Sequence, residues 1–166
     1  IKNNLIGDAT LSPNLAVEFG LGKKTTFEMY GSYNPFILKK DDVKGDRKFK
    51  HWLAQPEFRY WTCERFNGSF FGVHAFGGEF NVADIRAFKF LRDRRYEGYL
   101  VGGGITFGNQ WILGKRLSLE LAIGVGYAYI DYDVYECQDC GQKLKYGNYS
   151  YIGPNRTVIS FAYFLR

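Results

Sequence analysis

The sequence predicts an all-β protein, a single domain over residues 1–166 in which eight antiparallel strands form a transmembrane β-barrel with short periplasmic turns and longer extracellular loops. The clearest observation is the segment Leu117 to Ile130, which has a large apolar residue at every odd position from 117 to 129 and a small or polar one at nearly every even position. This two-residue period is typical of a strand. Its small, polar face suits the inside of a narrow barrel better than the core of a soluble protein.

Seven further segments fit the same scheme, namely 1–10, 15–21, 25–34, 51–62, 69–82, 96–111 and 149–166. The first is only weakly patterned and ends at the turn Ser12-Pro13-Asn14. The others present apolar outward faces, which include in order Leu15 and Phe19, Phe27 and Met29, Phe58 and Tyr60, Phe71 and Val73, Ile105 and Phe107, and Ile159 and Phe161. Pro56 predicts a local bulge, because a closed sheet has no edge strand on which a missing N–H is harmless.

The connections between these segments alternate in length, which is the second observation for the barrel. Three are short, at 22–24, 65–68 and 114–116, and three are long and charged or polar, at 39–50, 83–95 and 131–148. Short turns at one end and long loops at the other are typical of outer-membrane barrels, in which the short turns face the periplasm. An even number of strands also places both termini at the short-turn end.

Aromatic residues near the strand ends are the third observation. Trp61, Phe66 and Trp111 lie close to short turns, whereas Trp52, Tyr96, Tyr132, Tyr149 and Tyr151 lie near the bases of long loops. Two such groups are expected at the two membrane interfaces. The alternative is a soluble, ligand-binding barrel, which would place its bulky residues inside and its polar residues outside.

Composition excludes several classes of protein. Hydrophobic residues make up 46% of the chain and aromatic residues 19%, which is too apolar for disorder. No run of about 18 apolar residues is present, so the sequence predicts no transmembrane helix. The net charge of +5 is dispersed and does not indicate a nucleic-acid partner. Because the sequence starts at Ile1-Lys2 without Met, we expect a cleaved export signal and an integral outer-membrane location.

Strand parity turns a set of charged residues toward the lumen, and they form the first candidate site. The charged members are Glu18, Glu28, Glu57, Arg59, Glu120 and Arg156, with Gln55, His74 and Gln110 beside them. An eight-stranded barrel has a lumen that side chains can fill, so these charges are expected to pair. Carboxylates outnumber arginines, which predicts either a protonated Glu or the approach of Lys2 and Lys24 from the rim. A proton or small-ion path would need a continuous file of water, which so narrow a lumen does not favour.

The long loops supply the second candidate site. Their cations are Lys39, Lys40, Arg47 and Lys48 in the first loop and Arg86, Lys89, Arg92, Arg94 and Arg95 in the second. These side chains could bind the phosphates of lipopolysaccharide or an acidic partner, although charged loops are often simply solvated. Cys137 and Cys140 fit a loop disulfide, a redox pair or half of a zinc site, but no second ligand pair lies near them. We therefore expect no metal and no cofactor.

Four stretches carry a resemblance to a known family, namely Asp8 to Leu15, Gln55 to Trp61, Arg95 to Tyr99 and Gly124 to Tyr132. They resemble an uncharacterised family, a domain of unknown function, of outer-membrane proteins from Bacteroides-type bacteria. The resemblance spans essentially the whole chain, which is also similar in size to the small OmpA and OmpX barrels. It implies an outer-membrane β-barrel, often encoded near fimbria-related genes, and no particular chemistry. One departure is that Leu165-Arg166 follow Phe164, whereas such barrels usually end on an aromatic residue.

The expected function is non-enzymatic. A barrel with a filled lumen, and so not a wide pore, would serve as an anchoring or interaction subunit of an outer-membrane assembly, in contact with outer-membrane lipid, lipopolysaccharide and other surface proteins. A lipid-modifying barrel enzyme is the main alternative, with a Ser or His at the outer rim. Parity places no Ser and Asp convincingly close to His51 or His74.

Overall fold

The computed structural model describes residues 1–9, 12–35, 37–39, 47–83, 95–135 and 143–165. Its strands are β1 (Lys2–Asn4), β2 (Asn14–Gly20), β3 (Thr25–Asn34), β4 (Ile37–Lys39), β5 (Arg47–Trp61), β6 (Gly68–Ala83), β7 (Arg95–Ile112), β8 (Leu117–Tyr135) and β9 (Lys143–Tyr163), and helix α1 is Leu5–Ala9. Eight of the strands pair antiparallel in the order β3-β2-β1-β9-β8-β7-β6-β5, and β3 pairs with β5 to close the ring. The predicted all-β fold with eight antiparallel strands in a closed circuit is thus confirmed. Within the described residues, no helix has the length and apolar character needed to span a membrane.

The wall of this ring is uneven in height. Strands β7, β8 and β9 have 18, 19 and 21 residues, whereas β1 and β2 have 3 and 7. Between β9 and β2 the ring is therefore closed by three residues of β1, with Lys2 opposite both Ala16 and Ala162. The short turns and both ends of the chain lie at one end of the ring, as the lengths of the connections predict.

The prediction of a strand over residues 1–10 is wrong beyond Asn4. A short helix, α1, follows because the Asn4 side chain accepts a hydrogen bond from the Ile6 backbone N–H at 3.2 Å, as an N-cap residue does. The Asn4 amide also donates to the Thr157 carbonyl at 3.3 Å and accepts from the Ile159 N–H at 3.3 Å. These two side-chain hydrogen bonds thus take the place of backbone hydrogen bonds to β9 where β1 ends.

The strands next to the long loops extend further than the polarity pattern predicts. Residues 47–50 belong to β5 and residues 131–135 to β8, and β9 begins at Lys143, so the third connection is much shorter than 131–148. Polar pairs such as Asp133 opposite Tyr146 continue the ladder. Backbone hydrogen bonding does not require an apolar face, so alternation of polarity marks only part of each strand.

Pro56 causes no shift of register, contrary to the predicted bulge. Ala54 pairs with Gly77 and Glu57 with His74, which is one unchanged register across a short unpaired stretch of β5. A register shift does occur in β9, where Gly124 pairs with Arg156 and Val125 with Pro154, so that Asn155 is the extra residue, and the same ladder has a second shift between Val134 and Tyr135. The missing N–H of Pro56 therefore falls where β5 and β6 form no ladder pair.

Side chains divide between the two faces of the wall as parity predicts. The outer face carries large exposed apolar residues, among them Val73, which is 64% exposed, and Ile105, which is 63% exposed. The inner face carries buried polar and charged residues. The prediction that Trp61 lies at a membrane interface is wrong, because its side chain points into the ring and is fully buried.

Candidate functional site

The charges that parity turned inward meet in one layer across the ring, together with one residue added by β1. This charge layer consists of Lys2 (β1), Glu18 (β2), Glu28 (β3), Glu57 and Arg59 (β5), Glu120 (β8) and Arg156 (β9). Each of these side chains is at most 5% exposed. The predicted interior network, with all six of its expected residues, is present.

Register explains why cations are needed at this level. Glu18 lies opposite Glu28, and Glu28 lies opposite Glu57, so three neighbouring strands place like charges side by side. Like charges directly across a ladder repel each other, and more strongly away from water. Cations must therefore lie among these carboxylates, and the inward positions of β1, β5 and β9 supply them.

Arg59 occupies the centre of the charge layer. Its Nη2 donates to Glu28 at 2.8 Å and to Glu120 at 3.0 Å, and its Nε donates to Glu57 at 2.9 Å. Its Nη1 donates to Glu120 at 3.1 Å and to Glu18 at 3.4 Å. The guanidinium plane thus connects four strands, which a planar group with five N–H donors can do and an ammonium cannot.

Lys2 and Arg156 complete the charge layer on the side of the ring that contains the short strands β1 and β2. The Lys2 ammonium contacts Glu18 and Glu120 and lies 3.0 Å from Glu28. Glu18, Glu28 and Glu120 alone would be close enough together to hold a metal ion, but the ammonium occupies the space between them. The Nη2 of Arg156 lies 2.7 Å from Glu28 and 2.9 Å from Glu57.

Carboxyl groups outnumber cationic groups in the charge layer. Four carboxylates face three cations, a difference of one, even with Lys2 included. The prediction that Lys2 reaches in from the rim is confirmed, whereas Lys24 instead donates to the Thr62 carbonyl at the short-turn end, at 3.0 Å.

Aromatic residues pack inside the ring below the charge layer, on the side of β5 and β6 and toward the short turns. Trp61 and Phe70 are fully buried with ring centroids 4.9 Å apart, and Phe66 packs against Trp61. The Trp61 indole donates to the Thr26 hydroxyl at 2.8 Å, and the Arg59 guanidinium lies 4.4 Å from the centre of the Phe70 ring. This aromatic floor was not predicted, although the parity that turns Arg59 inward also turns Trp61 inward.

A second polar group lies beside the layer. One ring nitrogen of His74 is 2.8 Å from the Thr106 hydroxyl, and the other is 3.2 Å from the Asn155 side-chain oxygen. The expected room beside Gly124 is used here, since a Cβ at that position would lie 3.0 Å from both the Arg156 Cβ and the His74 Cε1. His74 is thus a hydrogen-bonded residue of the packed interior.

The end of the ring that carries the long connections holds two contacts that the sequence did not predict. The Ser32 hydroxyl lies 3.4 Å from Nε2 of His51, across adjacent strands. On the outer surface of the wall, the Tyr146 hydroxyl donates to Asp131 at 2.6 Å. This hydrogen bond and the negative charge of Asp131 raise the pKa of Tyr146 to about 12, because both disfavour the phenolate.

The candidate loop residues are only partly described. Lys39 lies in β4, Arg47 and Lys48 lie in β5, and Arg95 begins β7, so these four belong to strands rather than to loops. The remaining candidates lie outside the described residues, namely Lys40, Arg86, Lys89, Arg92, Arg94 and the pair Cys137 and Cys140. Cys63, at the short-turn end, is exposed and free.

Comparison with known proteins places the chain in a family. A family described as "Protein of unknown function (DUF3575)" matches residues 1–165. The chain belongs to this family. The match confirms the resemblance to an uncharacterised domain family. Because it covers residues 1–165, it includes every residue of the charge layer. No curated protein and no solved structure matches the chain.

Proposed function

We propose that this DUF3575 protein is a transmembrane β-barrel of the bacterial outer membrane that acts, without enzymatic activity, as an anchoring or interaction subunit of a surface assembly. The inverted distribution of polarity carries the proposal: the charge layer is buried inside the ring, and large apolar side chains cover its outer face. A water-soluble protein would have to expose all of this apolar surface to solvent, which soluble monomers rarely do. Lipid around the ring removes that cost.

The height of the apolar surface also supports a membrane location. On β8 the outward residues are apolar or Tyr from Leu117 to Tyr129, and Asp131 is the next outward residue. At a rise of about 3.4 Å per residue and a strand tilt of roughly 40°, this stretch is about 30 Å tall. That height is close to the thickness of a bilayer's hydrocarbon core. Glu79 and Tyr99 face each other on the outer wall near the level of Asp131, where the polar zone would begin.

The interaction role rests on the end of the ring that carries the long connections. In the proposed orientation the short turns lie in the periplasm, so residues 36–46, 84–94 and 136–142 would face outward. Loops held by a rigid scaffold are where binding residues concentrate. Their Lys and Arg residues would bind lipopolysaccharide phosphates or acidic surfaces of other outer-membrane or fimbria-related proteins. The resemblance to Bacteroides-type proteins agrees with export by a cleaved signal.

Membrane insertion can be tested with one matched pair of substitutions. The chain is expressed behind an export signal, and membranes are separated on density gradients and washed with alkaline carbonate. Ile105→Lys lies on the outer face within the apolar zone and should cost about 2–4 kcal/mol of stability in lipid. Asn148→Lys, beyond that zone, should cost less than about 1 kcal/mol. Recovery of the wild-type protein in the fractions that contain no membranes would refute the membrane location and favour a soluble ligand-binding barrel.

The interaction role has a separate test. The tagged protein is solubilised from native membranes in a gentle detergent, and co-purifying proteins and lipopolysaccharide are quantified. Replacing Arg86, Lys89, Arg92 and Arg94 by Glu should remove the partner or the lipid, whereas replacing Lys23 and Lys24 by Glu at the short-turn end should not. Equal recovery with both variants would show that the long loops do not mediate the contact.

A second candidate function, lipid modification, is favoured by one observation. The Ser32 hydroxyl and His51 lie 3.4 Å apart near the outer end of the ring, and a Ser beside a His can act as a nucleophile with its base. Lipid A and phospholipid chains should then differ between cells with the wild-type protein and cells with Ser32→Ala. Identical lipid profiles in these cells and in cells without the protein would eliminate the enzyme.

A further inference from the structure

Two cavities adjoin the charge layer, one on each side of it. The cavity on the long-loop side has a volume of about 130 Å³ and is lined by Lys2, Glu28, Gln55, Glu120 and Arg156 among others. The cavity on the short-turn side has a volume of about 370 Å³, and its lining includes Lys2, Glu18 and Gln110. It opens at the edge of the ring beside the exposed side chains of Phe19 and Tyr163. Lys2 belongs to the lining of both cavities, so its side chain lies at the boundary between them.

Unpaired polar groups indicate that both cavities hold water. On the long-loop side, Nε and Nη1 of Arg156 and Nε2 of Gln55 are buried and have no hydrogen-bond partner among the described residues. On the short-turn side, the same is true of both amide atoms of Gln110. Buried polar groups are rarely left unpaired, and a polar cavity of this size has room for several water molecules. Hydrated space thus lies on either side of the charge layer.

Lys2, at the boundary between the two cavities, lies on the shortest strand of the closed ring. Lys2 lies on β1, which has three residues, and it is flanked by the small residues Ala16 and Ala162. Arg59 is held far more firmly, by four carboxylates and by the face of the Phe70 ring. If the layer opens, the flexible Lys2 side chain is the part that can move while Arg59 stays in place.

We propose that the ring contains a narrow path for small monovalent cations and that the Lys2 ammonium closes it. The proposal rests on the membrane location proposed above. With Lys2 in the layer, four carboxylates face three cations, and with its ammonium withdrawn they face two. A constriction lined by excess carboxylate admits cations and repels anions. Lys2 therefore acts as a built-in cation that a permeating ion must replace.

Planar-bilayer recordings of the purified full chain under a potassium chloride gradient test this path. Minor conformations are typically populated at roughly 0.1–10%, so Lys2→Ala should raise the mean current by about tenfold or more over the wild type. The reversal potential should lie toward that of potassium. Lys2→Arg, which keeps a cation in the layer, and Lys23→Ala, in the exposed turn, should both give wild-type currents.

Insertion is measured on the same preparations, by flotation with lipid vesicles and by the gel shift on heating. Inserted protein whose Lys2→Ala variant carries no more current than the wild type would overturn the cation path and leave the membrane location standing. Anion-selective current would overturn it as well. Failure of the wild type to insert would overturn both proposals. If Lys2→Ala alone fails to insert, Lys2→Gln with Glu120→Gln, which keeps the charge difference of the layer, is subject to the same criteria.

Discussion

The Lys2 ammonium contacts the carboxylate of Glu120, which lies 118 positions further along the chain. Lys2 belongs to β1 and Glu120 to β8, and β9 lies between these strands in the ring. The contact is therefore a connection through the lumen, additional to the ladder of backbone hydrogen bonds. Arg59 makes a similar connection from β5 to Glu120. The charge layer thus ties together strands that are not neighbours in the wall.

Replacing Arg59 should be among the most destabilising changes in the chain. Arg59→Met leaves four buried carboxylates with two cations, and loss of one partner from a buried ion pair costs about 3–5 kcal/mol. The free energy of unfolding is measured by urea titration in lipid vesicles. Arg116→Met is the control, because this exposed residue donates only one described hydrogen bond, to Tyr163 at 3.2 Å. A loss as small as that of the control would contradict the central role of Arg59.

Phe70 and Phe71 form a matched pair for testing the aromatic floor. Phe70 is fully buried against Trp61, whereas Phe71 is 55% exposed on the outer face. Phe70→Ala creates a cavity in the packed interior and should cost about 3–5 kcal/mol. Phe71→Ala should cost clearly less in the same urea titration. Equal losses would mean that the inner side chain is no better packed than the outer one.

Gly124 and Gly31 test how tightly the interior is packed. A Cβ at Gly124 would meet Arg156 and His74 at 3.0 Å, whereas a Cβ at Gly31 would have no atom within 4 Å. Gly124→Val should therefore destabilise the ring by about 1–3 kcal/mol through overpacking. Gly31→Val should be neutral or slightly stabilising, because Val favours strands. Thermal unfolding compares the two variants, and a reversed order would refute the assigned faces.

The contact between Tyr146 and Asp131 predicts a pH dependence at alkaline pH. With its pKa raised to about 12, the Tyr146 phenol stays protonated above pH 10, and its hydrogen bond should persist there. Since the ordinary pKa of Tyr is about 10, the stabilisation is fully present below pH 10 and is lost as the pH rises through about 12. In Asp131→Asn, ultraviolet titration should show the transition of Tyr146 moving toward pH 10, together with that of Tyr99, which lies opposite Asp131 and whose pKa the same carboxylate raises. An unchanged curve would exclude the contact.

The residues of the charge layer were predictable because a strand has a strict two-residue period. Once the odd positions of 117–129 are placed outside, Glu120 must lie inside, and the same reasoning places Glu28 and Arg59. The pairing between them was less predictable, since it depends on register. Arg156, for example, contacts Glu28 and Glu57 but has no described contact with Glu120. Which side chains meet depends on the level in the ring at which the register places each residue.

Other features depend on contacts that polarity cannot indicate. The short helix α1 forms because Asn4 caps it, and one side-chain hydrogen bond leaves almost no trace in a weakly patterned segment. Trp61 was expected at an interface because Trp residues concentrate there, yet its position relative to Arg59 turns it inward. At this position strand parity, and not residue type, determines which face of the wall the side chain occupies.

The three-residue strand β1 also determines which pairing of strands forms last during folding. Asn4 accepts a hydrogen bond from Ile159, 155 positions away, so the joint between β1 and β9 brings together distant parts of the chain. Contacts of such large sequence separation form late, because the entropy of closing the loop is lost before the contact forms. Until residues 160–162 are in place, β1 and β9 remain the two unpaired edges of the sheet. The ring thus closes last at its shortest strand, β1. This strand carries Lys2, whose ammonium lies between the carboxylates of Glu18, Glu28 and Glu120.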